Sequence, residues 1–228
     1  MIPIRDELPT TRKPFVTVGL IVINCVVFLW QIVQPAPVQE NIVFTFGAVP
    51  AQLMADFQQL PQFPAHWFTL ISSMFLHGGF LHLAGNMLYL WIFGNNVEDY
   101  LGHFRFTLFY FACGIVAALT HAVSDVLSTV PMIGASGAIS GVLGAYLLLY
   151  PKARVVLLIW FFFFLRFVRV PAFVVLGFWF VMQLSGILSS PINQAGGVAL
   201  WAHVGGFIFG FAVVRLLGGP RRPKPYFA

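Results

Sequence analysis

Gly134-Ala135-Ser136-Gly137-Ala138-Ile139-Ser140-Gly141 opens a hydrophobic segment that runs to Tyr150. A serine flanked by small residues at the start of a helix is a candidate nucleophile. By itself, however, the spacing Gly137-xxx-Gly141 is more typical of close helix packing in membranes than of chemistry. The function of this stretch therefore depends on whether other segments bring a base and hydrogen-bond donors to Ser136.

The composition is that of an integral membrane protein. Of the 228 residues, 59% are hydrophobic and only 8% are charged, whereas a soluble domain carries roughly 25% charged residues. The net charge is +5, but basic residues in such a chain usually report its orientation in the membrane, so no nucleic-acid partner is predicted. Cys25 and Cys113 lie in apolar segments without CxxC spacing, which predicts core residues, not a disulfide or metal ligands.

Charge-free runs predict six transmembrane helices, since a span needs about 20 apolar residues. We expect the helices near Phe15–Val33, Gly79–Asn95, Phe104–Ala122, Ser136–Tyr150, Pro171–Leu188 and Leu200–Leu217. The sequence thus predicts an all-α polytopic membrane protein.

Two further segments do not fit a span. Val155–Leu165 is an apolar run of 11 residues, which is too short to cross a bilayer and is expected to be interfacial or re-entrant. The connection 35–66 is long, and such loops usually have a function or their own structure. Within it, Gln52–Phe57 is compatible with a short amphipathic helix or with a solvated linker, and the sequence leaves the two readings open.

The basic residues predict the orientation of the chain. With six spans, all 12 Lys and Arg residues lie on the same side as the termini, and the loops 35–66, 122–134 and 189–199 contain none. By the positive-inside rule, both termini are cytoplasmic. The second, fourth and sixth helices then enter from the outer face of the membrane.

These three helices each carry polar residues near their outer ends: His82 and Asn86, Ser136, and His203. We expect the three sites to share one depth, where polar side chains are costly and usually face the bundle interior or a water-filled cavity.

Stripes of small residues predict that two of these helices approach closely. The stripes are His203, Gly206 and Gly210 on the sixth helix, and Ser136, Ser140 and Gly144 on the fourth. Small residues let helix backbones come close enough for a Ser–His hydrogen bond. Gly137, Gly141, Gly206 and Gly210 are therefore expected to support the site by packing.

The residue types predict nucleophilic catalysis. A serine hydroxyl needs a base, which a neutral imidazole supplies, and a carboxylate commonly orients that imidazole. Asp and Glu occur only in segments expected to be tails or loops: Asp6, Glu7, Glu40, Asp56, Glu98, Asp99 and Asp125. The sequence therefore predicts a dyad of Ser136 as nucleophile and His203 as general base and acid. The Ser136 backbone N–H, Asn86 and His82 are the expected oxyanion donors, and neither a cofactor nor a metal is predicted.

Three motifs resemble the rhomboid family of intramembrane serine proteases: GASG at 134–137, AHVGG at 202–206 and HGGFLHLAGN at 77–86. The resemblance covers about residues 15–217, and the motifs occur in the expected order on separate helices. It implies a six-helix rhomboid-like bundle, a Ser–His dyad, and an oxyanion hole formed at the HxxxN positions. It also implies cleavage of single-pass transmembrane substrates near the outer ends of their helices.

The implied organisation is a cytoplasmic tail (1–14), a protease domain (15–217) with an outer first loop (35–78), and a second cytoplasmic tail (218–228). For the bacterial type, the resemblance implies a multi-pass protein of the cytoplasmic membrane, in contact with the lipid bilayer, whose active site opens to the outer face. No oligomeric state is predicted.

The sequence departs from the family pattern at two places. The first loop has Trp67-Phe68-Thr69, where members often carry a Trp-Arg pair, and Ser140 stands where some members have a tyrosine stacked on the histidine. What orients His203 is therefore open, with Phe207 at i+4 as one candidate neighbour.

The main alternative is a non-catalytic relative that binds membrane clients, but such a protein would be expected to lack Ser136 or His203. A zinc protease would carry HExxH, which is absent from the sequence. For the remaining histidines, His66, His103 and His121 are expected near the membrane interface. His77 is expected either at the cavity mouth or in a structural role.

Overall fold

The computed structural model describes residues 2–58, 66–161, 164–189 and 199–218. In this part of the chain, the elements are β1 (Ile2–Asp6), α1 (Phe15–Ile32), α2 (Ala36–Phe46), α3 (Pro50–Gln58), α4 (Thr69–Ser72), α5 (Phe80–Tyr89), α6 (Asn95–Leu101), α7 (His103–Ser124), α8 (Ser136–Leu149), β2 (Arg154–Phe161), β3 (Phe164–Pro171), α9 (Ala172–Ser189) and α10 (Leu200–Val213).

The long helices lie where the apolar runs predicted them. The second predicted span is helical from Phe80 to Leu101, because α5 continues through a π-helical turn at Leu90–Gly94 into α6. By length and composition, Phe15–Ile32 and His103–Ser124 are able to cross a membrane, while α8, α9 and α10 are apolar but shorter. The number of six spans stays a prediction.

Helix α8 is the centre of the bundle. Every residue from Gly137 to Tyr146 is buried, and α8 packs most extensively against α10 and then against α7. Backbone touches backbone at the crossing with α10, since a Cβ at Gly206 would overlap the carbonyl oxygen of Gly137, and a Cβ at Gly210 that of Gly141. Only glycine permits this approach.

The face of α8 that meets α10 differs in part from the predicted stripe. It is formed by Gly137, Gly141 and Gly144, and a Cβ at Gly144 would overlap the backbone of Phe207. Ser140, expected on this face, instead lines a cavity, and its Oγ donates to the carbonyl oxygen of Ser136 at 2.6 Å.

The prediction of an all-α protein is wrong in one region, which forms a three-stranded antiparallel sheet in the order β1-β2-β3. Of Val155–Leu165, expected to be interfacial or re-entrant, residues 155–161 lie in β2 and residues 164–165 in β3, while residues 162–163 lie outside the described part of the chain. Residues 2–6, expected only as a tail, pair with β2. The hairpin is rich in Val and Phe, which favour strands, and pairing satisfies its backbone groups without a helix.

The placement of the carboxylates in tails or loops is also wrong for Glu98 and Asp99, which lie on α6 and are buried. Glu98 accepts hydrogen bonds from the backbone N–H groups of Val16 and Thr17 at 2.9 and 2.7 Å, and from the Thr17 hydroxyl at 2.6 Å. The first amides of a helix have no intrahelical acceptor, so the carboxylate satisfies the start of α1. Asp99 similarly accepts from Thr11 at 3.0 and 2.8 Å.

The first loop contains helices, so the helical reading of Gln52–Phe57 is correct: the segment lies within α3. Asp56 is a third buried carboxylate and is bonded to His66, through the backbone N–H at 2.7 Å and Nδ1 at 3.0 Å. An isolated bridge between Ala48 and Met132 joins this loop to the segment that precedes α8.

Candidate active site

Ser136 and His203 are brought together by the glycine contact between α8 and α10. Ser136 is the first residue of α8, next to Gly137, and His203 lies one turn before Gly206 on α10. The distance from His203 Nε2 to Ser136 Oγ is 2.8 Å, and His203 is only 8% exposed. This geometry allows a direct proton transfer between the two side chains.

The second ring nitrogen of His203 contacts a residue that the sequence motifs did not indicate. Its Nδ1 lies 2.8 Å from Oε1 of Gln183 on α9. One turn earlier on the same helix, the ring of Trp179 lies 5.9 Å from the imidazole. The signal that could have identified Gln183 is its side-chain amide within a largely apolar helix, because polar residues at such positions usually have a function or a partner.

Phe207, the expected neighbour of His203, takes a different position. Its ring stacks on the rings of Trp179 and Phe180, with centroid separations of 6.0 and 4.5 Å. It therefore supports the ring that faces His203.

The side chains of His82 and Asn86 lie against the backbone of Gly134, two residues before Ser136. A Cβ at Gly134 would come within 2.9 Å of His82 Nε2 and 3.6 Å of Asn86 Nδ2, and Gly134 has φ +119°. Glycine is therefore required by both the space and the backbone conformation.

Both α5 side chains can donate a hydrogen bond. His82 Nδ1 accepts from the Gly78 N–H at 3.4 Å, which leaves the proton of a neutral ring on Nε2. Within the described ranges, Asn86 Nδ2 is buried and has no acceptor. A buried amide donor without an acceptor lowers the stability of the folded protein unless it donates to a ligand, a water molecule or a reaction intermediate.

A cavity of about 500 Å³ connects these groups. Ser136, His203, His82 and Asn86 all line it, and Pro131, Met132 and Ile133 form part of its wall. Because α8 begins at Ser136, its first amide N–H groups lack intrahelical acceptors and point to the same end of the helix. The cavity thus combines a serine hydroxyl, an imidazole and several hydrogen-bond donors.

The other histidines separate into two groups. His121, expected at the membrane interface, is a wall residue of the cavity. His77 is 1% exposed and packs edge-on against His82, with ring centroids 5.1 Å apart. His66 and His103 instead pair with the carboxylates of Asp56 and Glu98.

The two cysteines are free, and Cys113 is buried, where it packs against Gly141. In the part of the chain that the structure describes, no group of three or more His, Cys, Asp or Glu side chains is arranged to hold a metal ion.

Comparison with known sequences identifies the family. The family model of the Rhomboid domain matches residues 64–220, which include the cavity and the helices that carry it. The chain belongs to the rhomboid family. The family resemblance of the three motifs is thereby confirmed, and the protein is a membrane protein like other rhomboid proteins.

Two bacterial relatives carry the word protease in their names. The chain is 32% identical over 210 residues to Rhomboid protease GluP of Bacillus subtilis, which covers 92% of this chain and 36% of that protein. It is 41% identical over 81 residues to the Putative rhomboid protease YdcA of the same organism, which covers 36% of this chain and 40% of that protein.

A mitochondrial relative shows how widely the family has spread. Presenilin-associated rhomboid-like protein of Homo sapiens is 28% identical over 201 residues, covering 84% of this chain and 45% of that protein. This rhomboid chain therefore spans less than half the length of these relatives.

Proposed function

We propose that this rhomboid protein is an intramembrane serine endopeptidase that cleaves single-pass membrane proteins through a Ser136–His203 dyad. The observation that carries the proposal is the 2.8 Å separation of Ser136 Oγ and His203 Nε2 inside a cavity that His82 and Asn86 also line. A serine with a base at hydrogen-bond distance is the arrangement that nucleophilic catalysis needs.

In the proposed reaction, Ser136 Oγ attacks the carbonyl carbon of the scissile peptide bond while His203 Nε2 takes the hydroxyl proton. The tetrahedral intermediate carries a negative oxygen, which the Ser136 N–H, Asn86 Nδ2 and His82 Nε2 stabilise by hydrogen bonds. Collapse breaks the C–N bond, and His203 returns the proton to the leaving amine. A water molecule then attacks the acyl-enzyme with His203 again as base, which releases the carboxylate product and regenerates the Ser136 hydroxyl.

The proposed orientation has six spans, both termini in the cytoplasm and the cavity open to the outer face of the cytoplasmic membrane. Contacts of the basic residues support it. Arg105 donates to the carbonyl oxygen of Leu217, and Arg215 to that of Leu148 at 3.4 Å. Both contacts lie at the end of the bundle opposite Ser136, where the positive-inside rule expects them.

The substrate must expose a peptide carbonyl within or near the membrane. A transmembrane helix keeps its backbone groups bonded internally, and freeing them in hydrocarbon costs several kcal/mol. Glycine lowers that cost, since it weakens a helix by roughly 1 kcal/mol relative to alanine. We therefore propose cleavage near the outer membrane boundary, after a small residue and close to helix-weakening ones.

The decisive experiment combines a fluorophosphonate probe with substrate cleavage by the purified protein in liposomes. We expect the probe to modify Ser136, and mass spectrometry to place the cut near the outer boundary of a model transmembrane substrate. Moving the small residues along the substrate helix should move the cut with them. An intact substrate and an unlabelled Ser136 would instead support a non-catalytic protein that binds membrane clients.

A further inference from the structure

We infer that Gln183 is a positioning residue for His203, whose side-chain amide holds the imidazole in the tautomer that acts as a base toward Ser136. This inference rests on the proposed protease function and adds a third side chain to the dyad. The imidazole bridges two polar groups, with Nδ1 at 2.8 Å from Gln183 Oε1 and Nε2 at 2.8 Å from Ser136 Oγ.

The tautomer follows from the chemistry of the amide oxygen. A neutral imidazole has one N–H group and one lone pair, and which nitrogen carries the proton is set by its partner. Since an amide oxygen only accepts, the proton lies on Nδ1 and is donated to Gln183. The lone pair of Nε2 then faces the hydroxyl of Ser136, as general-base catalysis requires.

The contact also responds to the charge that develops in the reaction. When Nε2 takes the proton from Ser136, the ring becomes an imidazolium and its hydrogen bond from Nδ1 to Gln183 becomes charge-assisted. A carboxylate would do the same more strongly, but an ionised group in an apolar helix carries a large desolvation cost. A neutral amide gives the orientation without that cost.

Helix α9 fixes the ring from two directions. Gln183 contacts Nδ1 of His203. Trp179 lies one turn earlier on the same face, and the centroid of its ring is 5.9 Å from that of the imidazole. Met182, the adjacent residue, points away from the bundle and is 52% exposed. The helix thus offers a matched control beside the positioning residue.

The test compares three variants of the full protein in liposomes with a cleavable transmembrane substrate. Gln183→Met keeps the length of the side chain but removes the acceptor, Gln183→Glu keeps an acceptor at the same distance, and Met182→Ala is the control. We measure kcat, KM, thermal stability and the rate at which a fluorophosphonate modifies Ser136.

Gln183→Met should lower kcat and the labelling rate by about tenfold to a hundredfold. Without its acceptor, the imidazole of His203 is misoriented when it must take the proton of Ser136 in the transition state. KM should stay within about twofold, since the substrate does not need Gln183 to bind. Gln183→Glu should recover kcat to within about fivefold of the wild type, and Met182→Ala should be unchanged.

Wild-type kcat in Gln183→Met would overturn the positioning role while leaving the protease function intact. If that variant does not fold, Gln183→Asn decides the question, because it withdraws the oxygen by one methylene. Equal kcat for Gln183→Asn and the wild type would then refute the inference. A wild-type protein that neither cleaves nor becomes labelled would overturn the proposed function and this inference together.

Discussion

At its first residue, α8 meets neutral polar side chains from other helices, whereas in its last turns Tyr146 donates to the carboxylate of Asp6 at 2.6 Å. The first end of α8 borders the cavity that Ser136 and His203 line. The second end joins strand β1, and Asn96 also donates to Asp6 at 2.7 Å. One helix therefore connects a cavity lined in part by uncharged polar side chains with a region that holds several carboxyl groups.

The difference between the two ends indicates which part of the bundle contributes to stability and which part is available for chemistry. At the Ser136 end, Asn86 Nδ2 is a buried donor that has no acceptor among the residues the structure describes, which is unfavourable for stability but is what the proposed oxyanion intermediate would need. At the other end, carboxylates such as Glu98 are surrounded by donors and hold the N-terminal segment. We expect changes at the first end to alter rate, and changes at the second to alter stability.

The largest effect is expected from removing the reacting groups. Ser136→Ala and His203→Ala should each abolish measurable cleavage, a loss of at least about 10³-fold. Thermal stability in detergent should stay near that of the wild type, because both side chains are small parts of a cavity wall. Wild-type turnover by either purified variant would contradict the dyad.

A larger side chain in the glycine contact between α8 and α10 should lower the cleavage rate without removing a reacting group. Gly210→Val would push α10 away from α8, since its Cβ would overlap the carbonyl oxygen of Gly141, and a displacement of 1 Å at the site costs about 10²-fold in rate. Gly206→Val should act in the same way.

Gly177→Val is the matched control for both variants, because among the described residues a Cβ at that position meets no atom within 4 Å beyond its chain neighbours and its own helix backbone. Cleavage and melting temperature are measured for all three proteins. Full activity in a well-folded Gly210→Val protein would refute the close-packing argument.

At the second end, Glu98→Gln should reduce stability with little change in rate. The carboxylate accepts several hydrogen bonds at the start of α1, and bonds to charged groups contribute about 1.5–3 kcal/mol each. We expect a clear fall in melting temperature, while cleavage per folded molecule stays within about threefold. A rate loss as large as that of Gly210→Val would show that the two ends of α8 are not separable.

The smallest effect is a pH dependence at Asp6. Burial raises the pKa of Asp6 from 3.8 to about 6, against the opposing effect of its hydrogen bonds with Tyr146 and Asn96. Because the folded state holds the proton more tightly than the unfolded chain, this carboxyl stabilises the protein at low pH. That contribution is lost as the pH rises through about 6.

Asp6→Asn tests this pH dependence, because the amide keeps an acceptor oxygen but does not titrate. Between pH 5 and pH 7.5, the wild type should lose more melting temperature than Asp6→Asn. Parallel curves for the two proteins would assign the pH dependence to other groups. Cleavage at a fixed pH should be the same in both, which would sharpen the contrast between the two ends of α8.

The sequence alone was sufficient for the main helices and for the motifs. Long apolar runs have few alternatives to helices in a membrane, since backbone groups must be satisfied internally. The small residues around Ser136 and after His203 indicated close packing because only short side chains permit it. Both signals are local, and each can be read from one segment without knowledge of its neighbours.

Tertiary structure decided the features that depend on a partner. Glu98 looked like a loop residue because its sequence does not reveal that α1 begins beside it. The strand Ile2–Asp6 forms because β2, about 150 residues later, offers an edge. Gln183 meets His203 only because α9 folds against α10. Side-chain hydrogen bonds between distant segments leave no periodicity in a sequence, so the structure was needed to find them.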